Sequence, residues 1–244
     1  MTQIATLNSE VHRSLRVDAR ASAAYGDSQR FVQVIAGEFP QLVVHYPILL
    51  SKDARTGQLL CGVLLGYDEG ENLFLEDWRQ RRAYRPLSLQ RVPFCAHGRD
   101  LAIDLDHPRV GVEAGEPLFT DDGRPSRYLQ SVMQAFRFLQ PGMRATRTFV
   151  CRLLELKLIE PIDLEVEFDD GSKRDGVGLY TIDQGALAAL DDAAVVQLHR
   201  SGYLRLIDFM VASLKQLPVL ISRKNARLLR GTETLAAMQP SGHG

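Results

Sequence analysis

The stretch QLVVHYPILL, residues 41–50, is followed after DARTG (53–57) by QLLCGVLLGY, residues 58–67. Both apolar stretches are rich in the aliphatic, β-branched and aromatic residues favoured in strands, and the polar segment between them ends in glycine, as turns often do. Together they predict a β-hairpin with one apolar face. Because Pro47 has no N–H to donate to a sheet, we expect its strand to lie at an edge or to bulge there.

Short apolar runs at residues 72–76 and 101–105 predict two further strands. With the hairpin, they make residues 31–120 the β-rich half of the chain. Residues 1–30 are polar and rich in Ala, Ser and Arg, so they are expected to form an N-terminal arm outside that half.

In the second half of the chain, the apolar residues recur with a different period. From residue 121 onward, many apolar residues recur at three- and four-residue steps, which is typical of an amphipathic helix. Pro125 and Ser126 indicate a helix start, and Pro141 is expected to end that helix because proline lacks the N–H that the next hydrogen bond needs. Further helices are predicted at about residues 144–159, 185–200 and 203–217.

One β-hairpin is predicted inside this helical half. Strand-like runs at residues 164–168 and 177–182 flank Asp170-Gly171, a dipeptide that supplies the positive φ of a tight turn. The predicted fold class is therefore α+β, with a β-rich N-terminal half packed against a mainly helical C-terminal half that contains this hairpin.

The predicted domain organisation is simple. A single α+β domain covers residues 31–222, with its β-rich part at 31–120 and its mainly helical part at 121–222. Residues 223–244 begin basic and then become poor in apolar residues, which predicts a disordered tail. A hydrophobic content of 45% over 244 residues is enough for a sizeable core.

The charge balance narrows the classes of partner. The chain has 29 Lys plus Arg against 30 Asp plus Glu, a formal net charge of -1. No overall field favours a polyanion, so nucleic acid is not an expected partner. No run approaches the roughly 18 uninterrupted apolar residues that crossing a bilayer requires, so no transmembrane insertion is expected.

Cysteine usage and the N-terminus bear on the compartment. Cys61, Cys95 and Cys151 are odd in number and widely spaced, which indicates buried free thiols in a reducing compartment rather than a disulfide framework. The residues that follow Met1 do not have the pattern of a secretory signal peptide. The predicted location is therefore the cytoplasm, with any association with the envelope made through partners.

The best candidate site is an arginine-rich loop. Guanidinium groups bind carboxylates through two parallel hydrogen bonds and stack on aromatic rings, so such a loop can hold an anionic ligand or a peptide C-terminus. The expected partner is a protein or an acidic, carboxylate-bearing ligand. The predicted binding residues are Arg79, Arg81, Arg82, Tyr84, Arg85 and Arg91.

A solvated loop is the alternative interpretation. In that case the arginines would pair locally with Glu71, Glu76 and Asp77. Trp78 and Phe94 would then pack into the core as plugs. The neighbouring acids also neutralise part of the patch, which again argues against tight binding of nucleic acid.

A metal site is the weaker candidate. His97, Asp104 and His107 have the residue types of zinc or iron ligands, but their spacing fits no common ligand motif. Asp106-His107-Pro108 is more simply interpreted as a turn, since Asp bonds its own backbone and Pro fixes the next φ. Nor does the chain have the motif of a phosphate loop or of a nucleophile with its base, so no catalytic residue, metal or other cofactor is predicted.

Short motifs along nearly the whole chain resemble the bacterial SapC family. They are EFP (38–40), YPI (46–48), LG (65–66), ENLF (71–74), Trp78, YRP (84–86), RVPF (91–94), PLFTDDG (117–123), GLYTID (178–183) and SL (213–214). Five residues of these motifs are taken as the structural core of the resemblance. They are Asn72, Phe74, Trp78, Pro93 and Phe94.

The resemblance implies a role but no catalytic residues. The family's founding member is associated with a surface layer in a Gram-negative bacterium, and many relatives are encoded beside TonB-dependent outer-membrane receptors, flavin-dependent tryptophan-halogenase-like proteins and cupin-like hydroxylases. The expected function is a non-catalytic accessory or binding protein of such an envelope-linked system. The alternative is a metal-dependent enzyme of peptide or small-molecule modification.

Overall fold

A computed structural model describes residues 3–98, 100–162, 164–175 and 178–238, with the backbone alone for residues 231–238. The strands are β1 (Ile4–Thr6), β2 (Arg16–Val17), β3 (Phe31–Gln33), β4 (Ile48–Lys52), β5 (Leu59–Leu64), β6 (Phe94–His97), β7 (Asp100–Asp104), β8 (Glu116–Pro117), β9 (Ile159–Pro161), β10 (Val166–Glu167), β11 (Lys173–Arg174) and β12 (Leu179–Ile182). The helices are α1 (Phe39–Leu42), α2 (Leu75–Arg79), α3 (Leu87–Gln90), α4 (Arg127–Glu155), α5 (Gln184–Ala188), α6 (Asp192–Arg200), α7 (Tyr203–Ser213) and α8 (Leu217–Met238). The predicted α+β class is confirmed.

The predicted first hairpin forms the middle of a five-stranded antiparallel sheet of order β3-β5-β4-β12-β9. Leu50 of β4 lies opposite Cys61 of β5. The first strand begins later than predicted, at Ile48, because residues 39–42 form the short helix α1 with proline in its first turn. The strand predicted at 72–76 is also wrong, since the chain enters α2 there.

The helical half contributes two strands to this sheet. β12 pairs with β4 on one side and β9 on the other, so Tyr180 lies opposite both Leu50 and Pro161. Residues 177–182 were predicted to pair with 164–168. That prediction is wrong, because β12 joins the five-stranded sheet, where its Ile182 is buried in the main core. The turn at Gly171, whose φ is 78°, closes the smaller hairpin β10-β11.

The long helix α4 packs into two apolar cores, one at each of its ends. The main core contains the five-stranded sheet, and Phe149 and Leu153 from the end of α4 pack into it. The second core contains the sheet β1-β7-β6, with Phe94 and Ile103 packed against Leu129 from the start of α4. One helix is thus shared by both cores.

The continuity of α4 corrects the prediction that Pro141 ends a helix. Ser126 caps its N-terminus as expected, its Oγ accepting from the N–H of Leu129 at 3.1 Å, but the helix continues through Pro141 to Glu155. A proline costs about 3 kcal/mol inside a helix. The apolar residues buried before and after Pro141 offset that cost, since breaking the helix would remove one of the two cores.

The described parts of both predicted chain ends belong to the folded body. β1 of the predicted arm pairs with β7, placing Ala5 opposite Ile103, and Val17 is fully buried. At the other end, α8 accommodates Pro218 in its first turn, where proline is tolerated, and runs on to Met238. The predicted tail is therefore helical over 223–238, whereas its last residues, 239–244, lie outside the described residues.

A buried lysine fixes α8 to the loop after β5. Lys224 is only 4% exposed, and its Nζ lies 2.5 Å from Asp68 and 2.8 Å from Glu71. Glu71 also accepts from the N–H of Tyr67 at 2.9 Å. In the part of the chain that the structure describes, none of the helices is long and apolar enough to span a bilayer.

The three cysteines differ in their exposure. Cys61 is buried, Cys95 is half-buried and Cys151 is exposed, and all three are free thiols. The prediction that all three are buried is therefore correct only for Cys61. Burial raises the pKa of the Cys61 thiol to about 12, which makes it unreactive at neutral pH.

The substitution Lys224→Ala should lower the free energy of unfolding by about 3 kcal/mol, because it leaves the buried Glu71 carboxylate without its ammonium partner. Urea denaturation monitored by circular dichroism measures the effect. The control is Lys173→Ala, which breaks the exposed pair with Glu167 and should change stability by about 0.5 kcal/mol or less. Equal effects of the two substitutions would contradict a structural role for the C-terminal helix.

Candidate functional site

The predicted loop and the first turns of α4 enclose a pocket of about 340 Å³. We call it the arginine pocket. Three of the predicted binding residues line it together with residues that lie far away in the sequence. Its polar lining includes Arg81, Tyr84 and Arg85 from the loop, Arg109 from the turn after β7, and Tyr128 and Ser131 from α4.

The backbone at the end of α2 places Arg81 at the rim of this pocket. Arg81 has a φ of 55°, the left-handed conformation that usually favours glycine. The N–H of Arg82 then donates to the carbonyl of Asp77 at 2.8 Å, which closes the helix end. Any residue with a Cβ is strained at this positive φ. The residue here is nevertheless an arginine, and its side chain lines the pocket.

Hydrogen bonds through Trp78 and Tyr46 join the loop to the main core. Trp78 is 6% exposed, and its Nε1 donates to the Tyr46 hydroxyl at 2.7 Å. That hydroxyl donates in turn to the carbonyl of Tyr84 at 2.7 Å, and burial raises the pKa of Tyr46. The chain of hydrogen bonds fixes the backbone of the loop to the main core.

The remaining motif residues are also structural. Asn72 is buried; its Nδ2 donates to the carbonyl of Asp27 at 2.8 Å and its Oδ1 accepts from the N–H of Phe74 at 2.9 Å. The ring of Phe74 meets that of Tyr46 edge-on, with centroids 4.7 Å apart. Pro93 follows a cis peptide bond, and Phe94 is buried in the second core.

A buried ionic cluster forms the floor of the arginine pocket. Asp27 is 1% exposed, and its two carboxylate oxygens bind Arg85 at 2.8 Å and Arg109 at 2.5 Å. Arg109 is fully buried and also donates to the carbonyls of Asp18 and Arg20, at 2.9 and 2.6 Å. Two guanidinium groups therefore share one carboxylate.

The two floor arginines keep unused donors. Within the described chain, the Nε atoms of both Arg85 and Arg109 are buried and have no hydrogen-bond acceptor. Burial lowers the pKa of Arg85, while the carboxylate of Asp27 partly opposes that effect. Buried polar groups are normally paired, so two unpaired N–H groups in one cluster indicate a place for an acceptor.

The other predicted arginines lie elsewhere. Arg79 donates to the carbonyl of Ala21 at 2.9 Å and pairs with Glu76. Arg91 donates to the carbonyl of Phe94 at 3.2 Å, and Arg82 is exposed. The solvated-loop interpretation thus describes Arg79, whereas Arg81 and Arg85 line the pocket.

Several of the polar residues that line the arginine pocket were not predicted from the sequence. Asp27 and Arg109 are 82 positions apart, and Tyr128 lies beyond the whole β-rich half. Each of them lacks a neighbouring motif that would indicate a shared site.

A second pocket of about 430 Å³ adjoins the first and shares Tyr84, Gln90, Ser131 and Ala135 with it. We call it the glutamine pocket, because Gln41, Gln90 and Gln134 line it. Glu38 lies at its base and accepts from the Tyr84 hydroxyl at 3.1 Å and from the N–H of Leu87 at 2.8 Å. Burial raises the pKa of Glu38 and also that of Tyr84.

The candidate metal ligands do not form a site. His107 lies in a turn, as predicted from its sequence, and its Nδ1 accepts from the N–H of Arg109 at 3.2 Å. Asp104 accepts from the N–H of Asp106 at 3.1 Å, and His97 ends β6. No group of three or more His, Cys, Asp or Glu side chains converges like a metal site among the described residues.

The substitution Trp78→Ala should lower the free energy of unfolding by about 3–5 kcal/mol, because it removes a buried ring from the main core. Thermal denaturation measures the loss. Trp78→Phe keeps most of the apolar area but loses the hydrogen bond to Tyr46, so its effect should be the smaller. An unchanged melting temperature for Trp78→Ala would show that the ring does not support the loop.

The substitution Arg81→Gly should raise the free energy of unfolding by about 0.5–1 kcal/mol, because glycine adopts a positive φ without a Cβ clash. Lys157→Gly is the matched control, since Lys157 has a φ of 54° just after α4 and its side chain is exposed. Chemical denaturation of both variants compares the two positions. A destabilised Arg81→Gly variant beside a stabilised Lys157→Gly variant would contradict the strain at the pocket rim.

Comparison with known proteins agrees with the motifs. No curated protein sequence and no solved structure matches the chain. The sequence profile of the SapC family matches residues 7–220, which include the loop, both pockets and both cores. The resemblance found in the motifs is thereby confirmed, and the chain belongs to the SapC family.

Proposed function

We propose that the chain is a non-catalytic binding protein that captures a carboxylate-bearing partner at the arginine pocket. The observation that carries the proposal is the buried cluster of Arg85, Asp27 and Arg109, in which two guanidinium groups share one carboxylate and each keeps a free Nε donor. A carboxylate is flat and has two oxygens, a geometry that suits guanidinium donors.

The charge distribution supports selective binding of an acidic partner. A local positive site on a chain of net charge -1 attracts an acidic partner without general adhesion to polyanions. Arg81 and Arg82 are both exposed beside the pocket, so they can steer the partner towards it. Nucleic acid is therefore not among the proposed partners.

The wider role follows from the family resemblance. We propose that the protein is an accessory of a bacterial envelope-linked system, either a surface layer or TonB-dependent uptake with peptide modification. The three free thiols fit a reducing compartment, which supports a cytoplasmic location with contact to the envelope through partners.

The second candidate, a metal-dependent modification enzyme, has no observation in its favour. It would need His97, Asp104 and His107 to converge, and they form no three-ligand group in the described part of the chain. His107 already uses its Nδ1 as an acceptor within the turn.

Affinity for an acidic peptide tests the proposal. The probe is a labelled ten-residue peptide that ends in a free carboxylate and has Glu only in its first half, and fluorescence anisotropy measures its Kd across salt concentrations. The double substitution Arg81→Ala/Arg82→Ala should weaken binding about tenfold and flatten its salt dependence, since it removes two charges at the rim. Arg81→Gly should weaken binding although it stabilises the fold.

The matched control is Arg55→Ala/Arg200→Ala, which removes the same charge from exposed positions outside the pocket. It should leave the Kd within about twofold of the wild type, because screened charges beyond a Debye length of about 8–10 Å contribute little. Binding lost equally in both double variants would mean that only net charge matters. A wild-type protein that does not bind the peptide at all would contradict the proposed function.

A further inference from the structure

We infer that the bound partner presents the free C-terminal end of an extended peptide, with its terminal carboxylate in the arginine pocket and its preceding residues in the glutamine pocket. The inference rests on the proposed function and narrows its ligand. It assigns the two adjoining pockets to one chain end rather than to an acidic patch on a folded surface.

The charge of the pocket floor fits a single negative group. Arg85 and Arg109 bring two positive charges and Asp27 brings one negative charge, which leaves an excess of one. Two further carboxylates lie near Tyr128: Asp18 is already bound to Arg20 and to the hydroxyl of Tyr25, and Glu116 is exposed. One carboxylate would balance the floor, whereas a phosphate monoester with a charge near -2 would overshoot.

The unused donors of the residues that line the pocket also fit one carboxylate. The Nε atoms of Arg85 and Arg109 are buried without acceptors in the described chain. Tyr128 lines the same pocket and brings a hydroxyl group to it. Burial raises the pKa of Tyr128 to about 12, so the hydroxyl keeps its proton and can donate. Three donors can be accommodated by the two oxygens of a carboxylate, which accept up to about four hydrogen bonds.

The glutamine pocket provides the groups that a peptide backbone needs. Gln41, Gln90 and Gln134 offer both donors and acceptors, which match alternating backbone N–H and C=O groups. Phe138 also lines this pocket and is 56% exposed, so it offers an apolar surface to one peptide side chain. Small acids such as acetate would leave this second pocket unused.

Glu38 sets the direction of the peptide. Its carboxyl lies at the base of the glutamine pocket, where burial disfavours charge and a second carboxylate close by would disfavour it further. The acidic group of the ligand therefore belongs beside Arg109, and the residues before it should be neutral. A chain end satisfies this arrangement, because its backbone leaves the carboxylate in a single direction.

Three peptide series on the intact protein test the inference. The first has free C-termini and no internal Asp or Glu, the second contains the same sequences as C-terminal amides, and the third contains amides with one internal Glu. The first should bind, and amidation should weaken binding about tenfold or more, since it removes the charge that the floor arginines recognise. Tyr128→Phe should weaken binding of the first series several-fold by removing one donor.

The results separate this inference from the proposed function. If the internal-Glu amides bind as tightly as the free acids, the C-terminal assignment is overturned while carboxylate binding stands. If none of the series binds, the proposed function fails as well. If N-acetylalanine binds as tightly as the longer free acids, the glutamine pocket makes no contribution and the extended peptide is overturned.

Phe138→Ala tests the second pocket with a matched control on the same helix. It should weaken the longer free acids about fivefold and leave N-acetylalanine unchanged, because it removes apolar contact beyond the carboxylate. Leu154→Ala is the control, since Leu154 is 51% exposed on α4 outside both pockets and should change neither affinity. Equal effects of the two substitutions on the longer peptides would overturn the assignment.

Discussion

The ion pairing of Asp27 is the interaction on which the rest of the structure depends. Its carboxylate joins Arg85 of the loop to Arg109 of the turn after β7, and its carbonyl accepts from Asn72. Segments from the N-terminus, the family motif and the second core thus meet at one buried residue. A buried carboxylate without partners would be strongly unfavourable. If one of these segments failed to pack, Asp27 would keep a buried charge without its partner, so the segments are expected to assemble together. The binding floor is consequently part of the folding architecture.

The sequence predicts the parts of the fold that depend on local pattern. The β4-β5 hairpin, the start of α4 at Ser126 and the turn at Gly171 were each indicated by residues within a few positions. Pro141 misled the prediction because local cost was outweighed by burial in two cores. The partner of β12 was misjudged for a related reason, since pairing with β4 depends on contacts more than a hundred residues apart.

The candidate site likewise has a part that local sequence predicts and a part that depends on distant segments. Arg81, Tyr84 and Arg85 were predicted because they are close together in a loop of unusual composition. Arg109 and Tyr128 could not be predicted, because a buried arginine is identified by its partners and those partners come from distant segments. Composition therefore located the loop, but only the tertiary structure separated the arginines of the pocket from those that bind backbone carbonyls.

The shared helix α4 has a consequence for motion. Its first turns pack in the second core and its last turns in the main core, while Tyr128 and Ser131 line the pocket between them. Because both ends of α4 are buried in apolar cores, its backbone has little freedom to move. Tyr128 and Ser131 are therefore held in place before any ligand arrives, and binding needs little free energy to order that side of the pocket.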